Sequence, residues 1–227
     1  MEKKYEILEN DYTYVTDNDG NDIELHRIRS LKGFGTVKAG DIGGYIEHED
    51  NLSHEGFCWI HEDAKVFGNA QIFDNAHIYS DAVVCDNATV CDDAKVEWSA
   101  EICGYCYICD NALITDNVYL DGSVHVCGNT VIGGQTTIIL EDVKICANAR
   151  IRSCDEYAYV KGFGSQNRGT LFYVSDYQLY VSCGCFNGTV KEFIKKVKEK
   201  HGRTYLGREY IAIANLMKKR FKSRNLI

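Results

Sequence analysis

Ala64-Lys65-Val66-Phe67-Gly68-Asn69-Ala70-Gln71-Ile72-Phe73-Asp74-Asn75-Ala76-His77-Ile78 decides the fold, because a small residue and an aliphatic residue each return every six positions. The aliphatic position runs without a miss through Ile60, Val66, Ile72, Ile78, Val84, Val90, Val96, Ile102, Ile108, Ile114, Leu120, Val126, Ile132 and Ile138. Two residues before it stands Ala64, Ala70, Ala76, Ala82, Ala88, Ala94 or Ala100, then Cys106 and Ala112. Pairs such as Gly68-Asn69, Asp74-Asn75, Asp86-Asn87 and Asp110-Asn111 follow it. Gly, Asn and Asp tolerate a left-handed backbone at little cost, so a corner is expected after every short strand. A six-residue unit cannot bury its own aliphatic side chain, so the units must stack into a β-solenoid.

With this repeat the chain resembles the hexapeptide-repeat proteins, in which three hexapeptides build one triangular coil of a left-handed parallel β-helix. The resemblance implies a mainly β protein with the β-helix over 42–153. The flanks are read as an N-terminal β-hairpin cap over 1–41 and a small C-terminal α+β module over 154–227. In the cap, Tyr5, Ile7, Tyr12 and Tyr14, and then Ile23 and Leu25, alternate with polar residues around the turn Asp17-Asn18-Asp19-Gly20. In the C-terminal module, strands are expected over 157–163, 171–174 and 177–181, with a turn at Ser175-Asp176. Thr189-Val190-Lys191-Glu192 reads as a capping box that opens a helix ending at His201-Gly202. Leu206, Tyr210, Ile213, Met217 and Phe221 mark a second amphipathic helix.

The formal charge is -8, divided unevenly: 189–227 carry +9 and the rest -17. A basic helical end on an acidic body fits self-association, an anionic ligand, or two solvated faces. No apolar run reaches the length of a membrane span, and Met1-Glu2-Lys3-Lys4 opens a charged segment rather than a signal peptide. A cytoplasmic protein without membrane contact is therefore expected, and its eleven cysteines are expected to be reduced thiols.

Residues eighteen apart should stack on successive coils at a spacing of about 4.8 Å. One outward column reads Phe73, Cys91, Cys109, Cys127, and Cys146 continues it after the six-residue step slips to seven between Ile138 and Ile145. Phe67, Cys85 and Cys103 form another, and Thr89, Tyr107 and His125 lie beside the first. Parallel thiols do not converge on a tetrahedral point, so no metal is expected. Cys behaves as a small hydrophobe, and Phe73, Cys91, Cys109, Cys127 and Tyr107 are read as the contact face of a homo-oligomer, a trimer or dimer. Asp74, Asp92 and Asp110 stack at a corner, where turn chemistry explains them better than calcium does. His61 and His77 are placed to approach diagonally.

The segments Lys38-Ala39-Gly40-Asp41-Ile42-Gly43-Gly44, Asn51-Leu52-Ser53 and Gly164-Ser165-Gln166-Asn167-Arg168-Gly169-Thr170 resemble modules that flank hexapeptide repeats in uncharacterised proteins of bacteriophages and other mobile elements. There the loop usually reads Gly-Ser-Arg-Asn followed by several Thr, from which Gln166 and Leu171 depart. That resemblance implies a phage-like origin and supplies no demonstrated chemistry; given that origin, the expected role is an inhibitor of a host defence system, sequestering a host signalling nucleotide or binding a host defence protein. A phosphate-bearing ligand would suit Lys161, Ser165, Asn167 and Arg168, with Tyr177 or Tyr180 for stacking. Many hexapeptide-repeat proteins are similar to acyltransferases that use acyl-coenzyme A. On that alternative His125 is the candidate general base, yet the coils lack the protruding loop such enzymes use. A structural scaffold is the third alternative. The leading expectation is a non-catalytic binding protein with no catalytic residue, no cofactor and no nucleic-acid partner.

Overall fold

A computed structural model describes residues 2–16, 20–146, 148–166 and 169–227. It is mainly β, a parallel β-solenoid of about six turns followed by two helices. Most hexapeptides contribute a two-residue strand that pairs with the strand eighteen residues later, as His77↔Lys95 and Ile78↔Val96 show. Three strands therefore make one coil, and the coil has three faces. The first face stacks Trp59–Ile60, His77–Ile78, Lys95–Val96, Leu113–Ile114, Val131–Ile132 and Arg150–Ile151. The periodic aliphatic residues, Ile60 through Ile138, are buried in one continuous core with the alanines below them.

The corners show why Asp recurs there. Asp86, Asp92, Asp110 and Asp116 all adopt a positive φ. Each carboxylate accepts a hydrogen bond from the backbone N–H one coil further on: Asp86 from Gly104 at 3.0 Å, Asp92 from Asp110 at 3.0 Å, Asp110 from Gly128 at 2.8 Å and Asp116 from Gly134 at 2.7 Å. Asparagines stack in the same manner, Asn69 Nδ2 to Asn87 and Asn75 Nδ2 to Asp93. These side chains thus pay out, corner by corner, the hydrogen bonds that the backbone cannot make to itself.

The N-terminal hairpin consists of β1 (Tyr5–Thr16) and β2 (Asp22–Ser30), antiparallel, with the connecting residues 17–19 outside the described residues. Strand β3 (Ile42–Ile46) pairs antiparallel with β2 and parallel with Lys65–Val66, so it joins the hairpin to the first coil. The glycines before that coil serve packing: a β-carbon at Gly43 would lie 2.6 Å from the Trp59 ring. Lys4 is 1% exposed, and its ammonium donates to the carbonyls of Cys58 at 2.9 Å and Glu55 at 3.3 Å while sitting 5.0 Å from the Phe34 ring. Burial lowers its pKa, and the carbonyls and ring keep the cation satisfied.

Strands β4 (Tyr119–Val126) and β5 (Thr137–Ile145) run through the second corner without a break. Their pairing slips between Gly122 and Val124, which is where the seven-residue step falls. That slip brings Cys146 over Cys127, and the two form a disulfide with Cα atoms 4.8 Å apart. The expectation of reduced thiols throughout is corrected here: in-register stacking sets a Cα separation inside the range that a disulfide requires.

Beyond the solenoid, β6 (Tyr157–Val160), β7 (Thr170–Ser175), β8 (Gln178–Cys183) and β9 (Phe186–Thr189) form an antiparallel sheet. Every residue of β7 is buried, because the sheet lies between two cores. Leu171 and Tyr173 join the solenoid core, while Phe172 and Val174 pack with α1 (Val190–His201) and α2 (Tyr205–Ser223). The capping box at Thr189 and Glu192 forms as the sequence predicts. The buried face of α2 is Gly207, Tyr210, Ala214, Met217 and Phe221, so Ala214 takes the inward position in place of Ile213. Among the described residues no helix is long and apolar enough to cross a membrane.

Candidate functional site

The Gly-rich loop after β6 is fixed to α2 by Gly164 N–H donating to Glu209 Oε2 at 2.8 Å and Ser165 N–H donating to the Tyr210 hydroxyl at 3.1 Å. Gly164 has φ +74°, and a β-carbon there would collide with the Tyr210 phenol. The loop thereby becomes one wall of a cleft of about 520 Å3. Its floor is aromatic: Phe186 lies 5.4 Å from Phe193, Phe193 lies 5.8 Å from Tyr210, and Tyr210 lies 5.4 Å from Phe163. Its rim is basic, with Lys196, Lys200 and His201 from α1, and Lys196 Nζ stands 5.6 Å from the Phe186 ring. Ser165, Gln166 and the exposed thiol of Cys185 complete the opening. Cations over apolar rings suit a ligand that has both a negative charge and a flat or apolar part.

Of the residues predicted for a ligand, Ser165 lies in this cleft and Asn167 and Arg168 fall outside the described residues. Lys161 pairs instead with Glu141 on β5. Tyr177 is 87% exposed at the tip of the β7–β8 turn, and Tyr180 faces the solenoid, stacked 5.7 Å from Tyr173. At the cleft Phe186 is the partly exposed ring, with Phe193 and Tyr210 buried beneath it. Strand alternation explains the exchange: Leu179 and Val181 take the helix-facing side of β8 and leave Tyr180 on the other. The sequence signal for the rim was the pair Lys196 and Lys200, four apart and flanking the apolar face of α1.

The cysteine column forms a cluster of its own, Cys91, Cys109 and Cys127 buried with Phe73 and Cys146 packed against them. Within one chain the cysteines of the expected contact face are largely buried, with Cys91 1% exposed, while Phe73 is half-buried and the adjoining Tyr107 is exposed. A diagonal contact recurs between residues sixteen apart on adjacent coils. Cys91 Sγ lies 3.2 Å from the Tyr107 hydroxyl, Cys109 Sγ 3.4 Å from His125 Nε2, and His61 Nε2 2.9 Å from His77 Nδ1. Burial pushes the Cys109 thiol up to about 11, with Asp110 adding to it, while burial and Lys144 lower the His125 imidazole. Carboxylate and thiol ligands cluster at Cys85, Asp86 and Cys103, and at Asp92, Cys109 and Asp110, but their aspartates are the corner residues that already accept backbone N–H groups.

No family model matches the chain. It is similar to an uncharacterized acetyltransferase of Escherichia coli strain K12, YdcK, at 35% identity over 69 residues, which is 29% of this chain and 21% of that protein. The match spans about a fifth of that relative's length. Sixty-nine residues equal the length of about four coils of eighteen.

Proposed function

We propose that this chain is a non-catalytic binding protein whose cleft, between the Gly-rich loop and α1, takes a phosphate-bearing ligand with a planar ring. The observation that carries the reading is the convergence of Lys196, Lys200 and His201 on the aromatic floor of Phe186, Phe193 and Tyr210. Lysines supply the charge for phosphate and the partly exposed Phe186 ring supplies a stacking surface, the combination a nucleotide requires. The rod positions the cleft, and the protein acts as a homo-oligomer joined through the surface around Phe73 and Tyr107. With flanks that resemble mobile-element proteins, the ligand class proposed is a host signalling nucleotide, with its sequestration as the role.

The similarity to an acetyltransferase favours a second reading, acyl transfer from acyl-coenzyme A with His125 as base. Against it, His125 Nε2 is engaged by the Cys109 thiol, and the six-residue steps from Ile60 to Ile138 leave no inserted loop to shape an acceptor pocket. Calorimetric titration of the full chain with ATP, a cyclic dinucleotide and acetyl-coenzyme A separates the readings. Binding without turnover, weakened more than about tenfold by K196E/K200E, is expected, since each charge-assisted contact is worth about 1.5–3 kcal/mol. Turnover of acetyl-coenzyme A that disappears in H125A would establish the second reading instead. Failure of all three probes to bind would overturn the first.

A further inference from the structure

The disulfide Cys127–Cys146 does not stand alone, for the same column continues down to Cys109 and Cys91. Tyr107 pairs with His125 and Ile108 with Val126, so Cys109 sits below Cys127 at the register that places Cys127 below Cys146. Backbone bonds hold it there: Cys109 N–H donates to Val126 O at 3.0 Å, and Cys127 N–H to Ile145 O at 2.9 Å. A thiol thus lies one rung below an existing disulfide, in the same buried column as its inner sulfur. Displacement at sulfur needs an attacking thiolate and leads to a new disulfide with release of the far thiol. A proton acceptor is also in place, since His125 Nε2 is 3.4 Å from Cys109 Sγ.

We propose that Cys109, Cys127 and Cys146 form a thiol–disulfide exchange site in which Cys109, deprotonated by His125, displaces Cys146 from Cys127. The Cys109 proton passes to His125 Nε2, the Cys109–Cys127 bond forms, and the Cys127–Cys146 bond breaks. Its electron pair leaves on Cys146, which recovers a proton from solvent or from the imidazolium, and there is no net oxidation. Cys146 is the half-buried member of the column and sits where the C-terminal module docks. Its carbonyl accepts from the Tyr173 hydroxyl at 3.4 Å, and neighbouring Lys144 bonds Ser182 Oγ at 3.1 Å and Asn187 Nδ2 at 3.1 Å. Exchange therefore moves the covalent staple from the coil that carries the module to the coil beneath it.

The test uses the full chain incubated with glutathione disulfide, quenched by alkylation and mapped by mass spectrometry, with circular dichroism to confirm folding. In wild type, Cys127–Cys146 is expected as the major bridge, with Cys109–Cys127 and an alkylated Cys146 as the minor form. C146S should shift the bridge to Cys109–Cys127: Cys127 thiolate attacks glutathione disulfide, and Cys109 then displaces the remaining glutathione. H125A in the C146S background should slow that second step at least about tenfold, and C109S should abolish alkylated Cys146 while leaving Cys127–Cys146 intact. Folded C146S protein in which Cys127 stays glutathionylated and Cys109 is alkylated would overturn the proposal. So would folded wild type whose Cys127 and Cys146 are never bridged.

Discussion

Two residue types carry the solenoid's local economy, and each predicts a measurable cost. Asp116 holds φ at 63° and accepts the Gly134 N–H at 2.7 Å. Alanine there would keep the left-handed strain, costing about 1 kcal/mol, and remove an acceptor worth about 1 kcal/mol more. D116A is accordingly expected to lose about 2 kcal/mol in urea denaturation, and D116N less than half of that, because Asn tolerates the conformation and retains an acceptor oxygen. The His61–His77 pair makes the opposite kind of statement, about protonation. Burial and the neighbouring His77 bring His61 down to about 4 from its ordinary 6.5, and burial also lowers His77. A folded-state pKa below the unfolded one means the contribution is complete above pH 6.5 and is lost as pH falls toward 4. Stability should drop by on the order of 2 kcal/mol across that window, and H61F should flatten the profile. An unchanged slope in H61F would assign the acid sensitivity to other groups.

At the scale of elements, the capping box at the start of α1 links stability to the cleft. Thr189 Oγ1 accepts from Glu192 N–H at 3.3 Å and Glu192 Oε2 accepts from Thr189 N–H at 2.8 Å. T189A is expected to cost about 1 kcal/mol by thermal or urea melting and to weaken nucleotide binding, because α1 carries the rim lysines. Weakened stability with unchanged affinity would show that the rim does not depend on the helix start. The same element shows what sequence can and cannot disclose. The rungs were legible because each rests on a local six-residue pattern, and the capping box because it spans four residues. The cleft was not, since it requires the loop at Ser165, the strand end at Phe186 and the helix residue Tyr210 to meet in space. The partners of Lys161 and Tyr180 were not legible for the same reason: one finds Glu141 and the other Tyr173, partners remote in sequence or set by strand alternation. The disulfide partner Cys146 lies in the column read from the sequence, but the expected compartment, not the local stacking, decided the reading of reduced thiols.

On the scale of the molecule, a solenoid is held by contacts between neighbouring coils, so its parts can loosen separately unless something spans them. Sheet β6–β9 does span two cores: Leu171 and Tyr173 close the end of the rod while Phe172 and Val174 anchor the helices. Tyr173 is the strongest of these links, fully buried and hydrogen-bonded to Asn187 Oδ1 at 3.0 Å. Y173A should cost about 3–5 kcal/mol, as large aromatic truncations in cores do. The loss is not expected to spread evenly. Coils from Ile60 to Ile132 keep their own stacked cores, so hydrogen exchange in Y173A should remain slow there and become fast across the sheet, α1 and α2. Nucleotide affinity should fall with it, because the loop, strand and helix that line the cleft belong to the released part. Uniform acceleration from Ile60 to Phe221 would instead mean that rod and module form one cooperative unit, in which the C-terminal sheet is as much a part of the solenoid as its coils.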